Sequence, residues 1–126
     1  MTQSIIKQSL KIPPLENGDQ LTRFEFEKRY ERMPNLKKAE LIEGIVYMGS
    51  PLRIEQHGEP HAAIITWLGY YKALTPNLQL GDNCTVKLDP ENEPQPDALL
   101  RIKNGGQSII SEDGYVEGAP ELIVEI

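Results

Sequence analysis

The sequence predicts an α/β or α+β domain in which helices cover a mixed sheet. Three observations lead there: a capped helix near residue 22, a longer one near residue 60, and short apolar runs of strand type around and after them. The chain has 126 residues, which fits one domain with a real core. Hydrophobic residues make up 39% and charged residues 25%, an ordinary globular composition.

Residues 1–20 hold Pro13-Pro14 and Asn17-Gly18-Asp19 and show no sustained period, so they read as an N-terminal arm, mobile unless docked. Residues 21–126 form the domain. Thr22-Arg23-Phe24-Glu25 is a capping box, and Leu21 with Phe26 makes a hydrophobic staple. Phe26, Tyr30 and Met33 share one helical face, while Glu25, Arg29 and Arg32 line the other, and Pro34 stops the helix. That outer face reads as solvated, with a Glu25–Arg29 pair, rather than as a phosphate contact.

In Lys38 to Met48, two β-rich runs flank Glu43-Gly44 and predict a hairpin. Alternation places Glu40 on the face of Ile42, opposite Leu41. Pro60 opens the longest helix, about 60 to 75, which Thr75-Pro76-Asn77 ends. Ile64, Trp67, Leu68, Tyr71 and Leu74 form its stripe, and His61 points toward the same side near the helix start. A hydrogen-bonded structural role is the first reading of His61, and a role beside a substrate the second; His57, in the preceding loop, says less. Three strands are expected after this helix, over residues 83–89, 96–102 and 121–126. The second is apolar on both faces apart from Asp97 and Arg101, as an interior strand would be. Asn104-Gly105-Gly106 and Ser111 to Tyr115 punctuate the stretch before the last.

Net charge is −6, which argues against a simple DNA-binding module, because phosphate contacts supply most of such a module's affinity. It is compatible with an acidic metal site. Nothing resembles a membrane span or a signal peptide, and the single cysteine, Cys84, suits a reducing cytoplasm.

Two apolar runs each carry one acid where a packing residue would be cheaper: Asp97 in Pro96 to Leu100, and Glu125 in Glu121 to Ile126. Acids are rarely buried unless paired, so two of them on neighbouring core strands point to a shared cation. Magnesium suits such a pair, because it takes one or two carboxylates and keeps water and phosphate in its other positions; Mn2+ is the alternative. Glu40 is a third acid that would complete the shell. A plain reading stands beside this one, in which Asp97 is turn chemistry after a proline and Glu125 a frayed end.

The ordered set Leu21-Thr22-x-x-Glu25-Phe26, Ala39 to Met48, His57-Gly58-Glu59-Pro60-His61, Pro96-Asp97 and Gly118 to Ile126 resembles the Uma-type restriction endonuclease family of the PD-(D/E)xK nuclease superfamily. The resemblance implies a restriction-endonuclease-like core, with a central mixed sheet flanked by helices over residues 21–126. It implies Asp97 and Glu125 as Mg2+ ligands, Glu40 as the additional acid and His61 near the site. The implied reaction is hydrolysis of DNA phosphodiester bonds in the cytoplasm, and a homodimer is the implied assembly. The superfamily's lysine would fall two residues past Glu125, beyond Ile126, so the chain is expected to lack a C-terminal part that follows the second catalytic strand. A catalytically inactive binding or regulatory protein of the same fold is one alternative, and a small acidic interaction domain with no metal is the other.

Overall fold

The computed structural model describes residues 12–49 and 51–126, so most of the arm, residues 1–11, lies outside the described residues. Among the described residues, two α-helices and three small sheets make a mixed α/β fold of the restriction-endonuclease-like kind. The part of the arm that is described is docked. Leu15 is buried, the Gly18 N–H donates to Val46 O at 2.9 Å, and Gln20 bridges Ile45.

Helix α1 (Arg23–Glu31) begins where the capping box predicts, with the Glu25 N–H donating to Thr22 Oγ1 at 3.3 Å. Phe26 is fully buried and meets Tyr30 edge-on, the ring centroids 5.6 Å apart. Arg29 Nε donates to Glu25 Oε1 at 3.0 Å on the outer face. Strands β1 (Ala39–Ile42) and β2 (Ile45–Met48) form the expected hairpin. Its two turn residues, Glu43 and Gly44, have φ of 50° and 77°, the left-handed pair that a tight two-residue turn requires. Leu15, Phe26, Ala39, Leu41 and Val46 close one core over this hairpin.

A π-helical turn (Ile54–Gly58) leads into α2 (Glu59–Leu74). Only Leu68 of the expected stripe is buried; Trp67, Tyr71 and Leu74 are exposed. The helix packs on one flank against β3 (Leu78–Asp82) and β5 (Ala98–Ile102), too narrow a contact to cover a stripe that wide. No helix among the described residues is long and apolar enough to cross a membrane.

Strand β3 has no counterpart in the sequence reading. Its two-residue turn after the helix (Asn77 at φ 64°) and its interrupting Gly81 hide it. It pairs with β5, which pairs in turn with β8 (Leu122–Val124), so the order is β3-β5-β8, antiparallel throughout. The strand expected over residues 83–89 shrinks to β4 (Val86–Lys87), and Leu88 is exposed. It runs parallel to β7 (Val116–Glu117), which pairs with β6 (Ile109–Ile110) in a small mixed sheet. Val86, Leu99 and Val116 join the two sheets in a second core.

Residues 93–101 are buried without interruption. The segment before β5 is stitched to the first hairpin: Glu93 N donates to Leu41 O at 2.7 Å, Leu41 N to Glu93 O at 3.1 Å, and Gly44 N to Glu91 O at 2.8 Å. Asn92 Oδ1 accepts from the Glu43 N–H at 2.8 Å. Pro94 and Pro96 suit this buried stretch because they bring no N–H to satisfy.

Glu93 is the exception inside it. It is 3% exposed, and its Oε1 has no hydrogen-bond partner among the described residues. Burial, and then the neighbouring Glu27 carboxylate, push its carboxyl up to about 8, with Lys87 and Arg23 pulling back in part. Between its ordinary value of 4.5 and about 8, the folded chain therefore holds a proton that the unfolded chain has released. Stability is full below that window and falls as pH rises through it, by roughly 1–3 kcal/mol once screening is allowed for. Glu93→Gln is expected to remove this slope and to be the more stable protein above pH ~8, with little difference near pH ~5. Urea midpoints across that range check it, and parallel curves for the two proteins would refute it.

Candidate functional site

The β5–β8 ladder decides where the two acids go. Ala98 is paired with Val124, so Asp97, one residue before, and Glu125, one residue after, stand at the next rung at the same end of the sheet. Opposed residues of an antiparallel pair put their side chains on one face. The ladder's end is tied by the Ile126 N–H, which donates to Asp97 Oδ2 at 2.8 Å. Asp97 is 2% exposed, whereas Glu125 sits on the open side.

Glu40 arrives from β1. Because Leu41 is bonded to Glu93, the neighbouring Glu40 lies beside the chain leading to Asp97, and its Oε2 accepts the Gln95 N–H at 2.8 Å. Gln95 in turn donates its side-chain amide to Ala39 O at 3.1 Å and to the Tyr30 hydroxyl at 2.9 Å. Asp97, Glu125 and Glu40 thus line one cleft of about 600 Å3, together with Lys38, His57 and Tyr47. Burial, and then the Glu40 and Asp97 charges, hold the Glu125 carboxyl above its ordinary range; Lys38 pulls it back in part.

Lys38 is not singled out from the sequence, and His57 stands there only as a loop histidine within a family motif. Lys38 Nζ stands 3.5 Å and His57 Nε2 3.6 Å from the same oxygen, Asp97 Oδ1. Lys38 follows Lys37 just before a strand and reads as part of a solvated charge pair. His57 belongs to a stretch with no regular period. Only the stitching of residues 89–95 to the hairpin brings Lys38 to a residue 59 positions away.

His61 lies deeper. Its Nε2 is 2.8 Å from the Asp97 carbonyl oxygen and 2.9 Å from Asp82 Oδ1. A carbonyl only accepts, so that nitrogen carries a proton and donates. His61 steadies the Asp97 backbone, and its ring stacks on His57 with centroids 5.4 Å apart.

No group of three or more His, Cys, Asp or Glu side chains is gathered to hold a metal by itself among the described residues. Two carboxylates with neighbouring space for water and phosphate nevertheless match what Mg2+ takes from a protein. Glu40, already bonded through Oε2 to Gln95, stands behind them as a source of negative field.

The family model Uma2, described as "Putative restriction endonuclease", matches residues 25–126. That span holds the hairpin, both helices apart from Arg23 and Phe24 of α1, and all three acids. No curated protein matches the chain.

Lys38 is expected to be coupled to Asp97 in stability, because a buried carboxylate that loses a cation partner is left less compensated. Lys38→Met alone should destabilise, and Asp97→Asn should cancel part of that loss, with a coupling of about 1 kcal/mol. A double-mutant cycle by urea unfolding measures it. A coupling of zero would mean that Lys38 is merely solvated.

Proposed function

The chain belongs to the Uma2 family, and from that premise we propose that it is a divalent-cation-dependent endonuclease that hydrolyses DNA phosphodiester bonds. The observation that supports this most is the juxtaposition of Asp97 and Glu125 at one end of the β5–β8 ladder, with Glu40 in the same cleft. Asp97 and Glu125 would hold Mg2+, or Mn2+ in its place. The bound ion supplies polarisation of a phosphoryl oxygen and a bound water acidic enough to yield hydroxide near neutral pH.

This chain's own residues do the rest. Glu125 offers a carboxylate whose raised proton affinity a cation relieves, and Asp97 offers one held rigid by the Ile126 N–H. His61 fixes the Asp97 main chain through its carbonyl. Lys38 brings the cleft a positive charge that attracts the phosphate and stabilises charge developing on it. Since the chain is acidic, with net charge −6, DNA affinity rests on the ion and on local cations such as Lys37 and Lys38. A homodimer would present two such clefts to two strands, and a reducing cytoplasm, which the single Cys84 suits, is the compartment that goes with this reading.

Supercoiled plasmid incubated with the full chain and Mg2+ or Mn2+ tests the reading. Nicking or linearisation is expected, abolished by chelation and restored by added metal. Asp97→Asn and Glu125→Gln, which keep the shape of each side chain, should each cut at least ~100-fold more slowly. Undiminished cutting by both variants overturns the assignment. Metal binding by calorimetry without any cutting would instead favour a binding protein of nuclease fold.

A further inference from the structure

A second cleft, of about 390 Å3, opens between α1 and the β4–β7 sheet. Four acids line it, namely Glu27, Glu31, Glu93 and Asp113, and among its lining residues Lys87 is the lone cation. Lys87 Nζ reaches Glu27 Oε1 at 3.0 Å and Asp113 Oδ2 at 3.9 Å, and lies 4.4 Å from the centroid of the Tyr115 ring. Acids and an aromatic face already surround one ammonium on that flank. Beside Glu27, Glu93 is 3% exposed, and its Oε1 has no hydrogen-bond partner among the described residues. An orphaned buried acceptor costs stability. The main-chain bonds to Leu41 need no particular side chain, so the Glu93 carboxyl answers to its side-chain neighbours Glu27, Lys87 and Arg23 alone.

We propose that this cleft binds an organic cation of the guanidinium class, with Glu93 and Glu27 as its carboxylate partners and Glu31 and Asp113 supplying the surrounding negative field. The proposal holds whether or not the Asp97 cleft cuts DNA. A guanidinium is favoured over a metal ion for three reasons. No three acids are gathered to ligate a metal among the described residues. The Lys87 ammonium would repel a compact dication more than a diffuse monocation. A planar, weakly hydrated fork matches carboxylates in pairs and stacks on tyrosine rings, which Tyr30 and Tyr115 provide in the lining. The cleft volume suits a guanidinium on a short alkyl tail.

Cation binding must displace the proton that burial and Glu27 keep on Glu93. Arg23, 3.9 Å from Glu27 on α1, and Lys87 are the cations that face this pair. One proton is released for each cation bound, and the carboxylate so formed accepts the N–H fork.

The test uses the full chain and n-butylguanidine, followed by calorimetry and amide chemical-shift mapping. Binding is expected, with shifts at Glu27, Glu93 and Tyr115, and with a heat at pH ~7 that depends on the ionisation enthalpy of the buffer. Glu93→Gln should weaken it by about tenfold while remaining folded, and n-butylamine should bind more weakly than n-butylguanidine. A Gly-Gly-Arg-Gly-Gly peptide that binds more tightly than n-butylguanidine would identify an arginine of a protein partner as the source of the group. Equal affinity would identify a free small guanidine. No binding by n-butylguanidine, unchanged binding in Glu93→Gln, or displacement by excess Mg2+ would each overturn the proposal.

Discussion

Two main-chain hydrogen bonds between Leu41 and Glu93 hold the structure's logic together. They join the first hairpin to the segment that runs into β5, and everything chemical about the chain depends on that junction. It sets Glu40 against Gln95, brings Lys38 to Asp97, and buries Glu93 beside Glu27. An isolated bridge of this kind is weak by itself. Gly44, Asn92 and Gln95 add further bonds along the same seam and make it cooperative.

The seam creates two clefts with opposite electrical problems. In the first, Asp97 is buried but compensated, by a main-chain N–H and by Lys38 and His57 facing one oxygen. Glu125 is left as the group whose proton affinity rises, through burial first and then through the facing Glu40 and Asp97 charges. In the second, Lys87 compensates Glu27 and Asp113 directly, and the Glu93 Oε1 is left without a hydrogen bond among the described residues. Desolvation of a carboxyl is the dominant cause of the raised affinity at both Glu93 and Glu125. A charge brought from outside would relieve each of them.

The local rules were readable where a single short-range preference settles the matter. The capping box placed α1, the Glu43-Gly44 turn placed the hairpin, and a run apolar on both faces apart from Asp97 and Arg101 placed β5 in the middle of its sheet. Asp97 and Glu125 stood out because each broke an apolar run, and the pairing of their strands, which the metal reading required, is what the β5–β8 ladder supplies. What sequence reading missed depends on contacts between distant segments. Strand β3 is short, interrupted by Gly81 and paired only through β5. Trp67 and Tyr71 carry the helical period of a core yet stand exposed, since period reports a face and not what lies against it. Lys38 and His57 sit in unremarkable surroundings until the seam folds them onto Asp97, and no rule of spacing encodes that.

The family match and the acid geometry meet in one claim, that the Asp97 and Glu125 carboxylates grip a single divalent cation. Crystals soaked in Mn2+, with anomalous scattering used to locate the ion, examine it most directly. The account predicts one peak with oxygens of both carboxylates within about 2.0–2.3 Å, and with Lys38 turned away from Asp97 Oδ1. A peak elsewhere on the chain, or none at that cleft at saturating Mn2+, would contradict it.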